Sequence, residues 1–242
     1  MNWIKEIPIA HRGLHSNDSN IPENSLFAFQ EAINKGFAIE LDVRLTKDKQ
    51  VVVFHDEDLS RMCNSSNKIA ELDFNQIALF QLFSSDQKIP LFQEVLDLVD
   101  GKVPILIEIK SESPKVGEIE QSTLNTLKNY SGEYAIQSFN PFSVIWFKKN
   151  APHVIRGQLS SSFDDIKMSP LLKILLKNLF FNFVAKPNFI AYEKEGVAKK
   201  RLKNLRNKNI PILAWTIRNE GERLKVDSFA DNIIFENFLP QN

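Results

Sequence analysis

Short apolar runs alternate with amphipathic stretches along most of the chain. Eight of these runs are brief and rich in branched or aromatic residues, which is typical of buried strands. They are Ile7–His11, Ala38–Val43, Val103–Ile109, Tyr134–Ser138, Val154–Gln158, Phe189–Tyr192, Ile210–Trp215 and Asn232–Phe235. Helix-like stretches follow most of them, so the pattern predicts parallel strands joined by right-handed crossovers. Eight such units in 242 residues fit an α/β fold of the (β/α)8 or TIM-barrel type, which needs about 250 residues. An open doubly wound sheet is the alternative.

Start and stop signals mark several of the helices. Pro22 can begin a helix in its first turn, and Gly36 can end it. Asn140 precedes a proline and predicts a second helix start, and Asn219 can cap a third helix over Glu220–Lys225. These signals fall between the predicted strands, as the βα pattern requires.

The alternation breaks at approximately residues 46–90, after the second strand. This segment holds the strand-like Val51–His55 and an otherwise polar stretch. We therefore expect a single domain over residues 1–242 that carries a small insertion at this point. The chain contains no low-complexity run that would mark a linker.

The most apolar stretch is Leu171–Ala185. Lysines and asparagines interrupt it, and a bilayer span needs about 20 mostly apolar residues. We interpret it as a helix that covers the barrel between the fifth and sixth strands. Weak contact with a membrane surface is the alternative interpretation.

Composition excludes several classes of function. The chain has 30 basic and 30 acidic residues, so it carries no net charge, which argues against a nucleic-acid partner. Its eight glycines are too widely spaced for a dinucleotide-binding or P-loop motif. Cys63 is the only cysteine, so neither an intrachain disulfide nor a thiolate metal cluster can form. No secretory signal is evident at the start, and we expect a cytoplasmic location.

Charged residues interrupt the ends of otherwise apolar strands. Because side chains on a strand alternate between its faces, Glu40 and Asp42 share one face, and so do Glu108 and Lys110. In a barrel this face points inward at the carboxyl-terminal rim, where active sites lie. A cluster of three carboxylates needs a shared proton or a metal, and oxygen ligands favour one hard cation, Mg²⁺ or Ca²⁺. The sequence therefore predicts a metal site formed by Glu40, Asp42 and Glu108.

Two of the four histidines are predicted to lie near this cluster. His11 ends the first strand, and His55 lies in the insertion that leaves the same rim. Imidazoles beside a metal are suited to general acid–base catalysis at neutral pH. Arg12 adds a cation to the same neighbourhood. His15 and His153 are interpreted as loop residues.

These residues together resemble the glycerophosphodiester phosphodiesterase family. The likeness spans nearly the whole chain and is most specific over its first 56 residues. The matching segments are His11-Arg12-Gly13, Pro22-Glu23-Asn24-Ser25, Glu40-Leu41-Asp42-Val43, Thr46-Lys47-Asp48, Val52-Val53-Phe54-His55-Asp56, Ile89-Pro90-Leu91, Glu94-Val95-Leu96, Glu108-Ile109-Lys110, Gln137-Ser138-Phe139 and Trp215-Thr216. The resemblance implies a TIM barrel whose small insertion carries the second histidine.

The resemblance also implies a role for each matching residue. The metal carboxylates would be Glu40, Asp42 and Glu108, the acid–base pair His11 and His55, and the substrate-binding residues Arg12, Lys110, Phe139 and Trp215. The implied reaction converts a small glycerophosphodiester to glycerol 3-phosphate and an alcohol. The resemblance leaves four points open. They are which histidine is the acid, whether water or a glycerol hydroxyl attacks, which alcohol leaves, and what oligomer forms.

Two segments depart from the family pattern. Arg61-Met62-Cys63-Asn64 replaces an Arg-Thr-Thr-Gly-like stretch, and Phe235-Glu236-Asn237-Phe238 replaces an ending that contains Thr-Asp.

Two other functions stay open beside the one implied. A lysophospholipase D-like or C-like enzyme would use the same site on lysophospholipids, and a non-catalytic barrel would only bind phosphodiesters.

Overall fold

Eight parallel strands close into a barrel in the computed structural model, which describes residues 2–16, 21–111, 115–164 and 166–240. The strands within these ranges are β1 (Ile9–Ala10), β2 (Ala38–Leu45), β3 (Val51–Val53), β4 (Ile105–Ile109), β5 (Tyr134–Ser138), β6 (Arg156–Ser160), β7 (Phe189–Glu193), β8 (Ile212–Ile217) and β9 (Asn232–Phe235). The barrel closes because β1 pairs in parallel with both β2 and β9. The remaining strand, β3, pairs antiparallel to β2 outside the ring. The predicted TIM barrel is confirmed, with most strand ends shifted by one or two residues.

Most of the helices connect barrel strands on the outside. Their bounds are α1 (Trp3–Glu6), α2 (Leu26–Lys35), α3 (Ser60–Cys63), α4 (Phe74–Ile77), α5 (Phe92–Val99), α6 (Glu118–Thr126), α7 (Pro141–Asn150), α8 (Pro170–Lys177), α9 (Asn182–Ala185), α10 (Lys200–Arg206) and α11 (Glu220–Val226). Short 3₁₀ turns cover Ile69–Glu71, Leu127–Asn129 and Lys194–Gly196.

The side-chain caps explain where three of these helices begin. Asn140 and Asn219 each accept a hydrogen bond from a backbone N–H of the first turn, as the sequence predicts. The start of α2 is displaced from Pro22, because the Ser25 hydroxyl accepts from the N–H of Ala28 and donates to the carbonyl of Pro22. Pro22 therefore shapes the loop before the helix rather than its first turn.

The alternation of the strands separates two apolar layers. Ile39 and Leu41 pack in the larger core between barrel and helices, whereas Leu106 and Ala135 belong to a smaller core inside the barrel. The inner core ends below the carboxyl-terminal rim, where Glu40 and its charged neighbours take over the inward positions. The barrel thus places this buried carboxylate cluster at the end where its active site is expected.

The segment between β2 and α5 builds a small core of its own. Buried Phe54, Leu59, Met62 and Ile77 pack together there. Their cluster lies outside the barrel and is tied to it through the pairing of β3 with β2. This packing gives His55 a scaffold separate from the strand that carries His11.

Residues 171–185 do not form the single covering helix that the sequence predicts. The helix stops after Lys177, and Leu179 turns into the left-handed region (φ 55°) and inserts into the core. α8 buries none of its residues, and Phe183 of α9 is 81% exposed. Within the described ranges, no helix is both long and apolar enough to cross a membrane.

Gly13 offers a test of how closely α2 packs on the loop that carries His11. Its φ is +80°, and an added Cβ would lie 2.9 Å from Ala28 and Phe29. Gly36 has a similar φ of +71°, with nothing near an added Cβ. Both changes to alanine strain the backbone, but only Gly13→Ala also overpacks the core. The overpacking should lower the free energy of unfolding by a further 1–3 kcal/mol or about that amount. Urea unfolding of the two variants measures this difference, and equal losses would contradict the close packing.

Candidate active site

Three buried carboxylates meet at the inner rim of the barrel. Glu40 and Asp42 project from β2, and the register pairs Asp42 with Glu108 of β4. Each of the three offers an oxygen within 4.8 Å of the others. The strand alternation read from the sequence therefore brings the predicted set together.

Mutual repulsion makes this cluster a good fit for a cation. Burial, together with the negative charges of Asp42 and Glu108, raises the pKa of Glu40 well above its usual range. Burial acts the same way on Asp42, but Lys110, His55 and Arg12 outweigh it and hold the pKa of this carboxyl far below normal. An all-oxygen donor set with excess negative charge suits Mg²⁺ or Ca²⁺ better than zinc or copper.

Two cations already lie against the carboxylates. The Nζ of Lys110 is 2.9 Å from Asp42 and 2.6 Å from Glu108. The Nε of Arg12 is 3.4 Å from Asp42, and its backbone N–H donates to Glu40 over 3.1 Å. The backbone of Arg12 is in the left-handed region (φ 55°). In this conformation its N–H points at Glu40. Both residues therefore lie where a bound anion would meet positive charge.

His11 is held by a carboxylate from the far end of the chain. Its Nδ1 lies 2.6 Å from Oε2 of Glu236. A carboxylate only accepts hydrogen bonds, so Nδ1 carries the proton and Nε2 keeps its lone pair. Burial lowers the pKa of His11 to about 4, although the bond to Glu236 opposes this shift. The imidazole is therefore neutral at pH 7.

His55 has an equivalent support within the insertion. Its Nδ1 lies 2.7 Å from Asp56, which also accepts from the Nε of Arg61 over 2.7 Å. Burial would raise the pKa of Asp56, but the bonds from His55 and Arg61 lower it well below normal. Arg61 in turn pairs with Glu23, which also accepts from Arg12. A chain of ion pairs thus joins the two histidine loops.

A cavity of about 300 Å³ lies between the two histidines. It brings together eight of the nine residues that the sequence assigns to the site; they are His11, Arg12, Glu40, His55, Glu108, Lys110, Phe139 and Trp215. The ninth, Asp42, is buried beneath Lys110. The site residues named from the sequence are therefore neighbours in space.

The residues that support this cavity could not be identified from the sequence. Glu236 was noted only as a departure from the family pattern, yet it contacts His11 and pairs with Arg218. His15 lies in a loop, as the sequence predicts, and its Nε2 lies 3.8 Å from Glu236. Asn24 donates to Asp42 over 2.9 Å. Asn24 and Asp56 lie in segments that resemble the family, and this resemblance is the sequence signal for their supporting contacts.

Comparison with known proteins agrees with the geometry. The family model for the glycerophosphoryl diester phosphodiesterase family matches residues 11–236. A glycerophosphodiester phosphodiesterase of Caldanaerobacter subterraneus subsp. tengcongensis is 36% identical over 166 residues, covering 64% of this chain and 67% of the relative.

Solved structures show the same fold. A glycerophosphodiester phosphodiesterase of Thermotoga maritima has a TM-score of 0.73 at 26% identity, covering 95% of this chain and 94% of that one. A phosphodiesterase of Oleispira antarctica, solved in complex with the product sn-glycerol-3-phosphate, has a TM-score of 0.79 at 22% identity, with 94% and 91% covered.

Proposed function

The chain belongs to the glycerophosphoryl diester phosphodiesterase family, and from this membership and the geometry of its rim we propose the reaction that it catalyses. The protein is a phosphoric diester hydrolase. Its substrate is a small glycerophosphodiester, which it cleaves to glycerol 3-phosphate and an alcohol. The observation that carries this proposal is the pair of supported imidazoles, His11 and His55, on one cavity beside a cluster of three carboxylates.

The two imidazoles supply proton transfer. His11 is the base, because its neutral ring offers a free Nε2 while Glu236 fixes the other nitrogen. His55, oriented by Asp56, protonates the departing alkoxide. Arg12 and Lys110 bind the phosphoryl oxygens and offset their charge. Each group is held by a partner before the substrate arrives, so little reorganisation is needed at the moment of reaction.

One divalent cation is the proposed cofactor, and Glu40, Asp42 and Glu108 would hold it. When bound, such an ion polarises the phosphoryl group and stabilises charge that develops there. Burial and the negative charges of Asp42 and Glu108 raise the pKa of Glu40, and this supports the assignment because a bound cation would offset both effects. Calcium and magnesium both suit the oxygen ligands.

Two buried polar atoms without partners belong to residues that line the cavity. Among the described residues, the buried indole N–H of Trp215 and Oε1 of Gln137 are without hydrogen-bond partners. Both residues line the cavity of about 300 Å³. A small shift of either side chain would let a hydroxyl of a bound polyhydroxy ligand satisfy these atoms, which an apolar ligand cannot do. Phe139 packs edge-on against Trp215 and fixes the orientation of the indole.

A product assay tests the proposed function. We expect purified protein to release glycerol 3-phosphate from glycerophosphoethanolamine or glycerophosphocholine in the presence of Mg²⁺ or Ca²⁺. A chelator should abolish the release. Binding of these diesters without any turnover would instead favour the non-catalytic barrel.

Glu236→Gln is expected to lower kcat roughly 10–100-fold while KM changes little. The amide keeps the shape of Glu236 but removes the charge that holds the Nδ1 proton of His11 and raises its pKa. Glu118→Gln, which changes an exposed carboxylate paired with Lys49, is the control. Steady-state kinetics measures both variants. A rate for Glu236→Gln like that of the control would remove Glu236 from the mechanism.

Two further expectations stay predictions. The first is that residues 1–242 form a single domain with its insertion at about 46–90. The second is weak contact with a membrane surface through residues 171–185, supported by exposed Leu171, Ile174 and Phe183. Sedimentation with lipid vesicles measures such contact.

A further inference from the structure

A second group of potential metal ligands lies at the same rim as the carboxylate cluster. It consists of the imidazoles of His11 and His15 and the carboxylate of Glu236, and each offers one ligand atom within 4.8 Å of the others. The two histidines belong to the loop after β1, and Glu236 directly follows β9. We call these three residues the His–His–Glu group. It shares no residue with the carboxylate cluster.

His15 is the member of this group whose surroundings are incomplete. Its side chain is only 9% exposed, and among the residues that the structure describes its buried Nε2 has no hydrogen-bond partner. Oε2 of Glu236 is 3.8 Å away, which is too far for a hydrogen bond. A buried nitrogen without a partner costs free energy, and a cation between Nε2 and Oε2 would satisfy both atoms. The position of His15 therefore points to a ligand.

The separations within the group fit a single ion. Zinc lies about 2.1 Å from nitrogen and oxygen ligands, so two of its ligands are about 3.4 Å apart in a tetrahedral site and at most about 4.2 Å apart. The 3.8 Å between His15 and Glu236 falls within this range. The 2.6 Å hydrogen bond between His11 and Glu236 has to open by roughly 0.8 Å, which a small rotation of either side chain supplies. All three residues are partly exposed, so an ion can reach them.

The donor set favours a different class of metal from the carboxylate cluster. Two imidazoles and one carboxylate are a common zinc set, and imidazole also suits copper and nickel. Mg²⁺ and Ca²⁺ depend on charged oxygen ligands. The single carboxylate here is already paired through its other oxygen with Arg218 over 2.7 Å, which reduces its attraction for such ions. The group therefore selects for ions that imidazole holds well.

We propose that His11, His15 and Glu236 form a second metal site, selective for Zn²⁺ and similar ions, whose occupation stops turnover. Coordination occupies Nδ1 of His11, so the proton there is lost and Nε2 takes one up. The ring stays neutral, and no proton is gained or lost overall, but Nε2 no longer offers a free lone pair. The effect on turnover rests on the proposed function, in which His11 is the base. Binding of the ion does not depend on that function.

Calorimetric titration of Zn²⁺ in excess Mg²⁺ tests the site separately from activity. His15→Phe replaces one ring with another, and His15→Gln keeps a polar group without an imidazole. Both are expected to weaken zinc binding by roughly 10–100-fold or more, because loss of even an outer-shell partner costs that much. Glu108→Gln should bind zinc like the wild type. So should His153→Ala, which changes an exposed histidine outside the group and is the control for surface binding.

Zinc inhibition tests the consequence for turnover. Zn²⁺ added to the wild type in excess Mg²⁺ should abolish cleavage of glycerophosphoethanolamine, and more Mg²⁺ should not restore it. Each His15 variant is compared with its own rate in the absence of zinc. The zinc concentration for half inhibition should rise in each variant by the same factor as its Kd for zinc.

Other outcomes overturn the proposal. Zinc affinity equal to that of the wild type in a folded His15 variant excludes the site. Zinc binding that is lost in Glu108→Gln but kept in the His15 variants places the ion in the carboxylate cluster. Zinc that depends on His15 for binding but leaves the rate unchanged rejects the inhibition. If no diester is cleaved with any metal, the proposed function fails, and the calorimetric comparison still decides whether the site exists.

Discussion

His11→Ala and His55→Ala are each expected to lower kcat by roughly 10²–10⁴-fold, the usual contribution of a positioned acid or base. Each imidazole has one nitrogen held by a carboxylate, Glu236 or Asp56, and lines the cavity between them. Removing either ring takes away one proton transfer but leaves the carboxylates and the cations in place. Stopped assays on glycerophosphoethanolamine measure the loss.

The control for this pair is His153→Ala, because His153 is exposed and lies outside the cavity. It should retain the wild-type rate. Circular dichroism and thermal melts show whether each variant is folded. A rate near that of the wild type for folded His11→Ala or His55→Ala would exclude that residue from the proposed chemistry.

Glu108→Gln is expected to weaken binding of Mg²⁺ or Ca²⁺ strongly and to abolish most of the activity. The amide keeps an oxygen but loses the charge that attracts a hard cation. It also relieves the repulsion on Glu40 but removes one of the two carboxylates that pair with Lys110, so the metal-free variant should melt close to the metal-free wild type. Added metal should raise the melting temperature of the wild type but hardly that of the variant.

Glu120→Gln is the matched control, since Glu120 is another fully buried carboxylate but lies in α6, outside the cluster. Calorimetric titration of metal into the three proteins compares their affinities. Glu120→Gln should bind like the wild type. Equal affinity in Glu108→Gln would show that the proposed ligand set is wrong.

The residues whose positions follow from a local pattern could be predicted from the sequence. Glu40, Asp42 and Glu108 could be placed on one rim because strand alternation is a local rule and parallel strands end together. The apolar partners Ile39 and Leu41 face the helices for the same reason. The barrel itself could be predicted because the βα unit repeats along the chain.

Contacts between distant parts of the chain could not be predicted in this way. Glu236 reaches His11 across 225 positions, and no periodicity in the sequence links them. The break after α8 depends on Leu179, which leaves its helix because a buried site in the tertiary structure accommodates it. Helical spacing alone does not indicate whether Leu179 continues its helix or enters a buried site of the tertiary structure.

The two histidines are held by different apolar cores, and this arrangement affects how activity is lost. His55 depends on the small cluster around Phe54 and Leu59, whereas His11 and the carboxylates depend on the barrel. Local opening of the smaller unit costs less free energy than unfolding of the barrel. It would withdraw one proton-transfer group while the barrel strands stay paired. In a denaturant titration, inactivation should therefore precede the loss of secondary structure, and the gap between the two curves would measure how independently the insertion unfolds.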